Sequence, residues 1–119
     1  MRFRLFLAVV FIGLVSTSQG LRAQQPGFEE DLLRGDANND GFVNGNDSVF
    51  LGYYLYQGGS PPPCADAADV DDSGQIATAD LVYLNWYLYN GGAMPQQPFP
   101  YCGPDPTLDS LPCSYSHCN

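Results

Sequence analysis

A twelve-residue stretch occurs twice in the chain, and this repeat constrains the fold more than any other feature of the sequence. The two copies are residues 36–47, DANNDGFVNGND, and residues 69–80, DVDDSGQIATAD. Both carry side chains with an oxygen atom at loop positions 1, 3, 5 and 12, glycine at position 6 and a β-branched apolar residue at position 8. The offset of 33 residues continues beyond the loops, since Tyr54 aligns with Tyr87. Two copies without a third favour a closed pair of similar units over an extended solenoid.

The spacing of these oxygen-bearing side chains is that of an EF-hand-like calcium loop. Calcium takes about six to eight oxygen ligands, which such a loop supplies from its side chains and from the main-chain carbonyl at position 7. The predicted ligands are Asp36, Asn38, Asp40, the carbonyl of Phe42 and Asp47 in the first loop, and Asp69, Asp71, Ser73, the carbonyl of Gln75 and Asp80 in the second. We therefore expect two Ca²⁺ ions. The alternative, that runs of Asp, Asn and Gly are merely solvated turns, is weakened by the fixed offset between the copies.

The remaining loop positions allow further expectations. The residues at position 4, Asn39 and Asp72, are expected to point to solvent and to carry no ligand role. The apolar residues at position 8, Val43 and Ile76, are expected to pair across a short β-bridge. Position 12 is aspartate in both copies, where ordinary EF-hands have the longer glutamate.

Each loop is followed by an apolar segment that predicts a helix. The first helix should start near Asn46 and end at Gly58-Gly59, and the second should take Thr78 as its N-cap and end at Gly91-Gly92. The three prolines at 61–63 exclude a helix entering the second loop. The predicted fold class is therefore a small, mostly α protein in which two pseudo-symmetric loop–helix units pack as a pair, with an irregular disulfide-bonded tail.

The N-terminal segment predicts secretion. Residues 1–20 read as a signal peptide with a charged start, a short apolar run and small residues at the cleavage site, which could lie as late as residue 23. The expected division continues with a lead-in segment at 21–33, the loop–helix domain at 34–95 and a proline- and cysteine-rich tail at 96–119. The apolar run is too short to span a bilayer, so no membrane span is expected after cleavage, and the mature protein is expected outside the cell or on its surface.

The charge balance excludes some partners. The formal net charge is −9 and the chain has no lysine. Nucleic acids and anionic membranes need basic side chains to bind, so neither is an expected partner.

Four cysteines in a small secreted chain favour two disulfides. Cys64, Cys102, Cys113 and Cys118 allow three pairings, of which we favour Cys102 with Cys113 and Cys64 with Cys118 because the first closes a short loop. A zinc site is disfavoured, since no Cys-x-x-Cys occurs and His117 is the only histidine. His117 is expected to be a solvent-exposed tail residue. No catalytic set of residues can be assembled, so the protein is not expected to be an enzyme.

The two loops end in Asp, and each is followed by an apolar helix ending in Tyr-Leu-Tyr-x-Gly-Gly. Together these features resemble a type I dockerin domain over about residues 34–95. The resemblance implies calcium-dependent folding and docking onto a cohesin module. It also implies that the contacts come from loop positions 10 and 11, here Gly45 and Asn46 in the first copy and Thr78 and Ala79 in the second, and from the helix beyond each loop.

The helices carry more aromatic residues than a core of this size can hide, and some of them should form an exposed patch. The candidate partner-binding residues are Asn46, Tyr53, Tyr56, Thr78, Trp86 and Tyr89. The leading hypothesis is a secreted calcium-binding module that joins another extracellular protein, which could be cohesin-like. The alternatives are a structural or surface-coat protein that assembles with copies of itself, and a module that stacks aromatic rings on a glycan.

Overall fold

The structure is a computed structural model, and it describes residues 30–118. The predicted signal peptide and most of the lead-in segment lie outside this range. Three helices occur within it, α1 at Gly45–Tyr56, α2 at Ala65–Ala68 and α3 at Thr78–Asn90. The protein is thus small and mostly helical in its regular structure, with a long irregular tail after α3. None of the helices in residues 30–118 has the length and apolar character needed to cross a membrane.

The aspartate at position 12 of each loop, Asp47 or Asp80, stabilises the first turn of the helix in which it lies. The main-chain N–H of Asn44 donates to the Asp47 carboxylate at 2.8 Å, and that of Ala77 donates to Asp80 at 2.8 Å. These bonds satisfy main-chain donors that have no partner within a first helical turn. The prediction of Thr78 as N-cap is wrong, because Thr78 is the first residue of α3 and the capping position falls on Ala77. Asp80 supplies the other half of a capping box, because its carboxylate accepts the main-chain N–H of the N-cap residue.

Both long helices end at a pair of glycines, as predicted. The first glycine of each pair adopts a left-handed conformation, with φ of 71° after α1 and 70° after α3. The second glycine, Gly59 or Gly92, donates its main-chain N–H to the carbonyl of Tyr53 at 2.9 Å or of Trp86 at 2.8 Å. A Cβ atom on Gly92 would lie 2.9 Å from the Cβ of Trp86. The close return of the chain over each helix end therefore requires glycine.

The core lies between the two loop–helix units. Its fully buried members share an apolar side chain and come from both units: Ala37, Leu51, Ala68, Val70 and Leu84. Val43 and Ile76 pack against this cluster. They do not form the predicted β-bridge, since the isolated bridges in the described part of the chain join other residues. Side-chain packing, and not main-chain pairing, therefore connects the two loops at position 8.

Helices α1 and α3 pack against each other in opposite directions. At one end, the Tyr56 hydroxyl is hydrogen-bonded to the Thr78 hydroxyl, which joins the end of α1 to the start of α3. At the other end, the hydroxyl of Tyr89 lies against Gly45, where α1 begins. The two contacts involve residues offset by 33 positions, but the first is a hydrogen bond between hydroxyl groups and the second places a hydroxyl against a glycine.

All four cysteines are in disulfides, but the pairing favoured from the sequence is wrong. Cys64 is bonded to Cys113 and Cys102 to Cys118. Cys64 and Cys113 face each other in an antiparallel bridge, with main-chain hydrogen bonds of 2.8 and 3.0 Å on either side. A second antiparallel bridge, between Leu32 and the residue after Cys102, holds the other end of the tail. The folded tail thus places each cysteine opposite a partner that loop length did not indicate.

Candidate calcium sites

The first loop gathers three carboxylates around one point. Oxygen atoms of Asp36, Asp40 and Asp47 lie within 4.8 Å of one another. Asp36 and Asp47 are buried, and main-chain N–H groups of the loop donate to them. Among these bonds, the N–H of Gly41 donates to Asp36 at 2.9 Å. The loop backbone is therefore wrapped around its own acidic side chains.

The second loop forms a similar cluster, in which positions 1 and 12 are again aspartate but the third carboxylate comes from position 3 instead of position 5. Oxygen atoms of Asp69, Asp71 and Asp80 lie within 4.8 Å of one another. The N–H of Gly74 donates to the Asp69 carboxylate at 2.7 Å, as that of its counterpart does in the first loop. The predicted neutral ligand, Ser73, lies beside them, with its hydroxyl 3.3 Å from an oxygen of Asp69.

Burial raises the pKa of the buried carboxyl groups in both loops. The pKa of Asp47 is raised to about 7, chiefly by burial, and that of Asp80 is raised to about 7 for the same reason. Asp36 and Asp69 have raised pKa values as well, again mainly because of burial. Hydrogen bonds from the loop N–H groups oppose these shifts without cancelling them. A buried carboxylate without a counter-charge is unfavourable, so each loop is an environment that a cation would stabilise.

The donor set of each loop fits Ca²⁺. Calcium is a hard cation that prefers several oxygen ligands, including carboxylates, in one flexible loop. Three converging carboxylates provide the negative charge, and the predicted carbonyl ligands of Phe42 and Gln75 belong to the same turns. Cysteine and histidine, the ligands typical of zinc, are absent from both loops.

The expectation for loop position 4 is wrong. Asn39 donates from its side-chain amide to the carbonyl of Tyr115 at 3.0 Å, and Asp72 accepts from the hydroxyl of Thr107 at 2.8 Å. Both residues adopt a left-handed conformation, with φ of 62° and 56°. Their side chains therefore bind the tail and do not point freely into solvent.

His117 is also placed differently from the expectation of an exposed tail residue. Its side chain is 29% exposed, and its Nδ1 lies 3.2 Å from an oxygen of Asp36. Its main-chain N–H donates to the side-chain oxygen of Asn39 at 3.0 Å. The tail thus approaches the first loop through a histidine that the sequence pattern assigned to solvent.

Arg34 is a buried residue beside the second loop whose structural role the sequence pattern did not indicate. Its side chain is fully buried and donates to the carbonyls of Gln97 at 2.9 Å, Asp66 at 2.9 Å and Asp69 at 3.1 Å. It also forms an ion pair of 2.7 Å with Asp105 in the tail. Because Asp69 is the first residue of the second loop, Arg34 ties that loop to the segment that leads into the first. One signal was present: Arg34 is the last Lys or Arg in a strongly acidic sequence.

The candidate partner-binding residues all lie at the surface. Asn46 and Thr78 are exposed at the helix starts, and four aromatic side chains along the helices, Tyr53, Tyr56, Trp86 and Tyr89, are between 55% and 66% exposed. The other aromatic residues of the helices include Phe50 and Tyr83, which pack against the core. The aromatic residues are thus divided between the core and an exposed surface.

Two acidic loops, each leading into a helix of a closely packed pair, define a small calcium-binding module. Comparison with known families agrees, because the profile of the dockerin type I domain matches residues 27–89. The chain belongs to the type I dockerin family. Domains of this family bind calcium and mediate association between proteins, with cohesins as their partners. No curated protein and no solved structure matches the chain significantly.

Proposed function

We propose that the protein is a secreted, non-catalytic module that binds two Ca²⁺ ions and attaches to a cohesin-like extracellular protein. In this proposal the ions hold a pseudo-symmetric pair of loop–helix units in place. The helices, and not the metal ions, present the binding surface. Support for two ions comes from the two carboxylate clusters, and support for the pair comes from the contacts between α1 and α3.

The observation that carries the proposal is an exposed apolar row that occurs in the same register on both helices. On α1 it consists of Val49, Tyr53 and Tyr56, and on α3 of Val82, Trp86 and Tyr89. Each member of the first row aligns with a member of the second at an offset of 33 residues. Large exposed aromatic side chains on a rigid helix lose little conformational freedom on binding and are frequent in the energetic centres of interfaces.

The starts of the helices adjoin these rows. Thr78 supplies a hydroxyl at the start of α3, while the aligned residue of α1 is Gly45, against which Tyr89 lies. A side chain at Gly45 would collide with the Tyr89 hydroxyl. The two helix starts therefore offer different polar groups to a partner, although the apolar rows are alike.

The proposal is tested by measuring binding to a panel of recombinant type I cohesin modules by calorimetry, in calcium and in chelator. Alanine at both Tyr53 and Trp86 should weaken the best binder at least about tenfold, because truncating an aromatic interface anchor commonly costs about 2 kcal/mol or more. The matched control is Tyr101→Ala, since Tyr101 is a tail tyrosine that is 80% exposed. This control should bind as the unaltered protein does.

Two outcomes would contradict the proposal. The first is that no cohesin module binds in calcium, and the second is that the double variant binds normally while its circular dichroism is unchanged. Sedimentation of the protein alone, run alongside, would show a calcium-dependent polymer if the exposed rows instead joined copies of this chain.

A further inference from the structure

The tail crosses both calcium loops and binds each of them at the same loop position. We use the name tail brace for residues 105–118. The brace contacts Asn39 in the first loop and Asp72 in the second, which are the two residues at position 4. Neither side chain belongs to the carboxylate cluster of its own loop. The brace therefore binds both loops through residues that are not predicted ligands, and at the first loop the ring of His117 also lies 3.2 Å from the predicted ligand Asp36.

At the first loop, the side-chain amide of Asn39 both donates and accepts a hydrogen bond. Asn39 donates to the carbonyl of Tyr115 and accepts from the N–H of His117, each at 3.0 Å. The ring of His117 covers the turn, because a Cβ atom on Gly41 would lie 3.4 Å from its Cδ2. The turn that presents the ligands of the first loop is thus fixed by residues 76 and 78 positions further along the chain.

At the second loop, the brace is anchored by a buried charge. The hydroxyl of Thr107 donates to the Asp72 carboxylate at 2.8 Å. Two residues earlier, Asp105 pairs with the buried Arg34 at 2.7 Å and accepts the N–H of Thr107 at 3.1 Å. This end of the brace is therefore held by non-covalent contacts that need no disulfide.

The two disulfides divide the tail brace into two parts, and each part is held in place by different bonds. Cys64–Cys113 attaches its middle to the segment before the second loop. Tyr115 and His117 lie beyond that point and are closed onto the rest of the tail by Cys102–Cys118. Opening this second disulfide would leave the contacts at the first loop on a segment that no disulfide holds beyond Cys113, whereas Thr107 would stay between Asp105 and Cys113.

We propose that the tail brace preorganises both calcium loops, and that the Cys102–Cys118 disulfide sets the calcium affinity of the first loop selectively. The physical reason is that a loop already held in its binding geometry loses less conformational entropy when the ion enters. The coupling is reciprocal, so calcium in the first loop also favours the docked tail. This inference rests on the proposed binding of two ions.

The test follows the amide signals of Gly41 and Gly74 by NMR during a calcium titration. These two N–H groups donate to Asp36 and Asp69, so each signal reports on one loop. Replacing Cys102 and Cys118 by serine keeps the other disulfide. It should weaken calcium binding at Gly41 about tenfold, the expected effect of losing two hydrogen bonds, and at Gly74 less than about threefold.

Two further variants keep both disulfides. Asn39→Gly removes the hydrogen bonds of the first loop at a left-handed position that glycine tolerates, and it should reproduce the selective loss at Gly41. Thr107→Val removes only a hydroxyl group and should weaken binding at Gly74 alone, by about fivefold.

Equal losses of calcium affinity at both loops, or normal affinity at Gly41 in the serine and glycine variants, would contradict the proposed role of the tail brace. Neither result would contradict calcium binding itself. If neither signal of the unaltered protein responds to calcium, the proposed function fails, and the brace fails with it.

Discussion

Replacing Arg34 by methionine should destabilise the calcium-loaded protein by about 3–5 kcal/mol. Removing one partner of a buried ion pair commonly costs this much, because the other charge stays buried without compensation. Here the charge left without its partner is Asp105, whose side chain is 1% exposed. The carbonyls of Asp66, Asp69 and Gln97 would each lose a donor as well. Methionine has a similar length and fills most of the space, so the loss reports on polar contacts and not mainly on a cavity.

The assay is urea unfolding followed by circular dichroism, with the disulfides intact and calcium in excess. Arg34→Lys should fall between the methionine variant and the unaltered protein, because lysine keeps the charge but cannot supply the fork of donors. Combining Arg34→Met with Asp105→Asn should cost less than the sum of the single changes, since the uncompensated charge is then removed.

An exposed acid of the same region provides the control. Asp109 lies near Asp66 and Asp105 but at the surface, and Asp109→Asn should change stability by only about 0.5 kcal/mol. The reasoning would be refuted if Arg34→Met cost less than about 1 kcal/mol, or if the single and double changes were simply additive.

Three further outcomes are expected. Burial raises the pKa of Asp47 and Asp80 to about 7 from an ordinary value of 3.8, so their protonated forms stabilise the calcium-free fold at low pH and this stability is lost as pH rises to about 7. Thermal unfolding of the calcium-free protein should therefore occur at a higher temperature at pH 5 than at pH 8, whereas calcium affinity, measured by calorimetry, should rise over the same interval. Gly92→Ala should cost about 1 kcal/mol or more in urea unfolding, because the new Cβ would lie 2.9 Å from that of Trp86. Leu84→Ala should cost about 2–5 kcal/mol in the same assay, since Leu84 is fully buried between the units.

The parts of the fold that the sequence predicted are those determined by near neighbours along the chain. The start of α1 was placed within one residue and its end just before the predicted glycine pair, because an aspartate three residues into the helix and a glycine pair after it act on the adjacent backbone. The carboxylate clusters were predictable for the same reason, since the spacing within one loop brings Asp36 and Asp47 together. The aromatic residues could be divided between core and surface only once the two helices were seen to pack.

The disulfide pairing was not predictable because loop length is a weak criterion. The entropy of closing a loop grows only slowly with its length, so the short loop from Cys102 to Cys113 had little advantage over longer ones. The observed choice follows the buried cluster of Leu32, Cys64 and Ala67, against which Cys113 packs. That cluster forms only when the lead-in segment, α2 and the tail pack together. Contacts between segments so distant in sequence cannot be predicted from a local sequence pattern.

Loop position 4 is asparagine in the first copy and aspartate in the second, and the contacts with the tail explain this difference. Asn39 both donates and accepts, because its two partners are a carbonyl and an N–H of the tail. A carboxylate there could not donate to the carbonyl. Asp72 accepts from the hydroxyl of Thr107 at 2.8 Å and lies 3.5 Å from the guanidinium of Arg34, so a carboxylate finds both a donor and a positive charge there. The two loops share aspartate at positions 1 and 12, whereas position 4 differs because the two loops contact different groups of the tail.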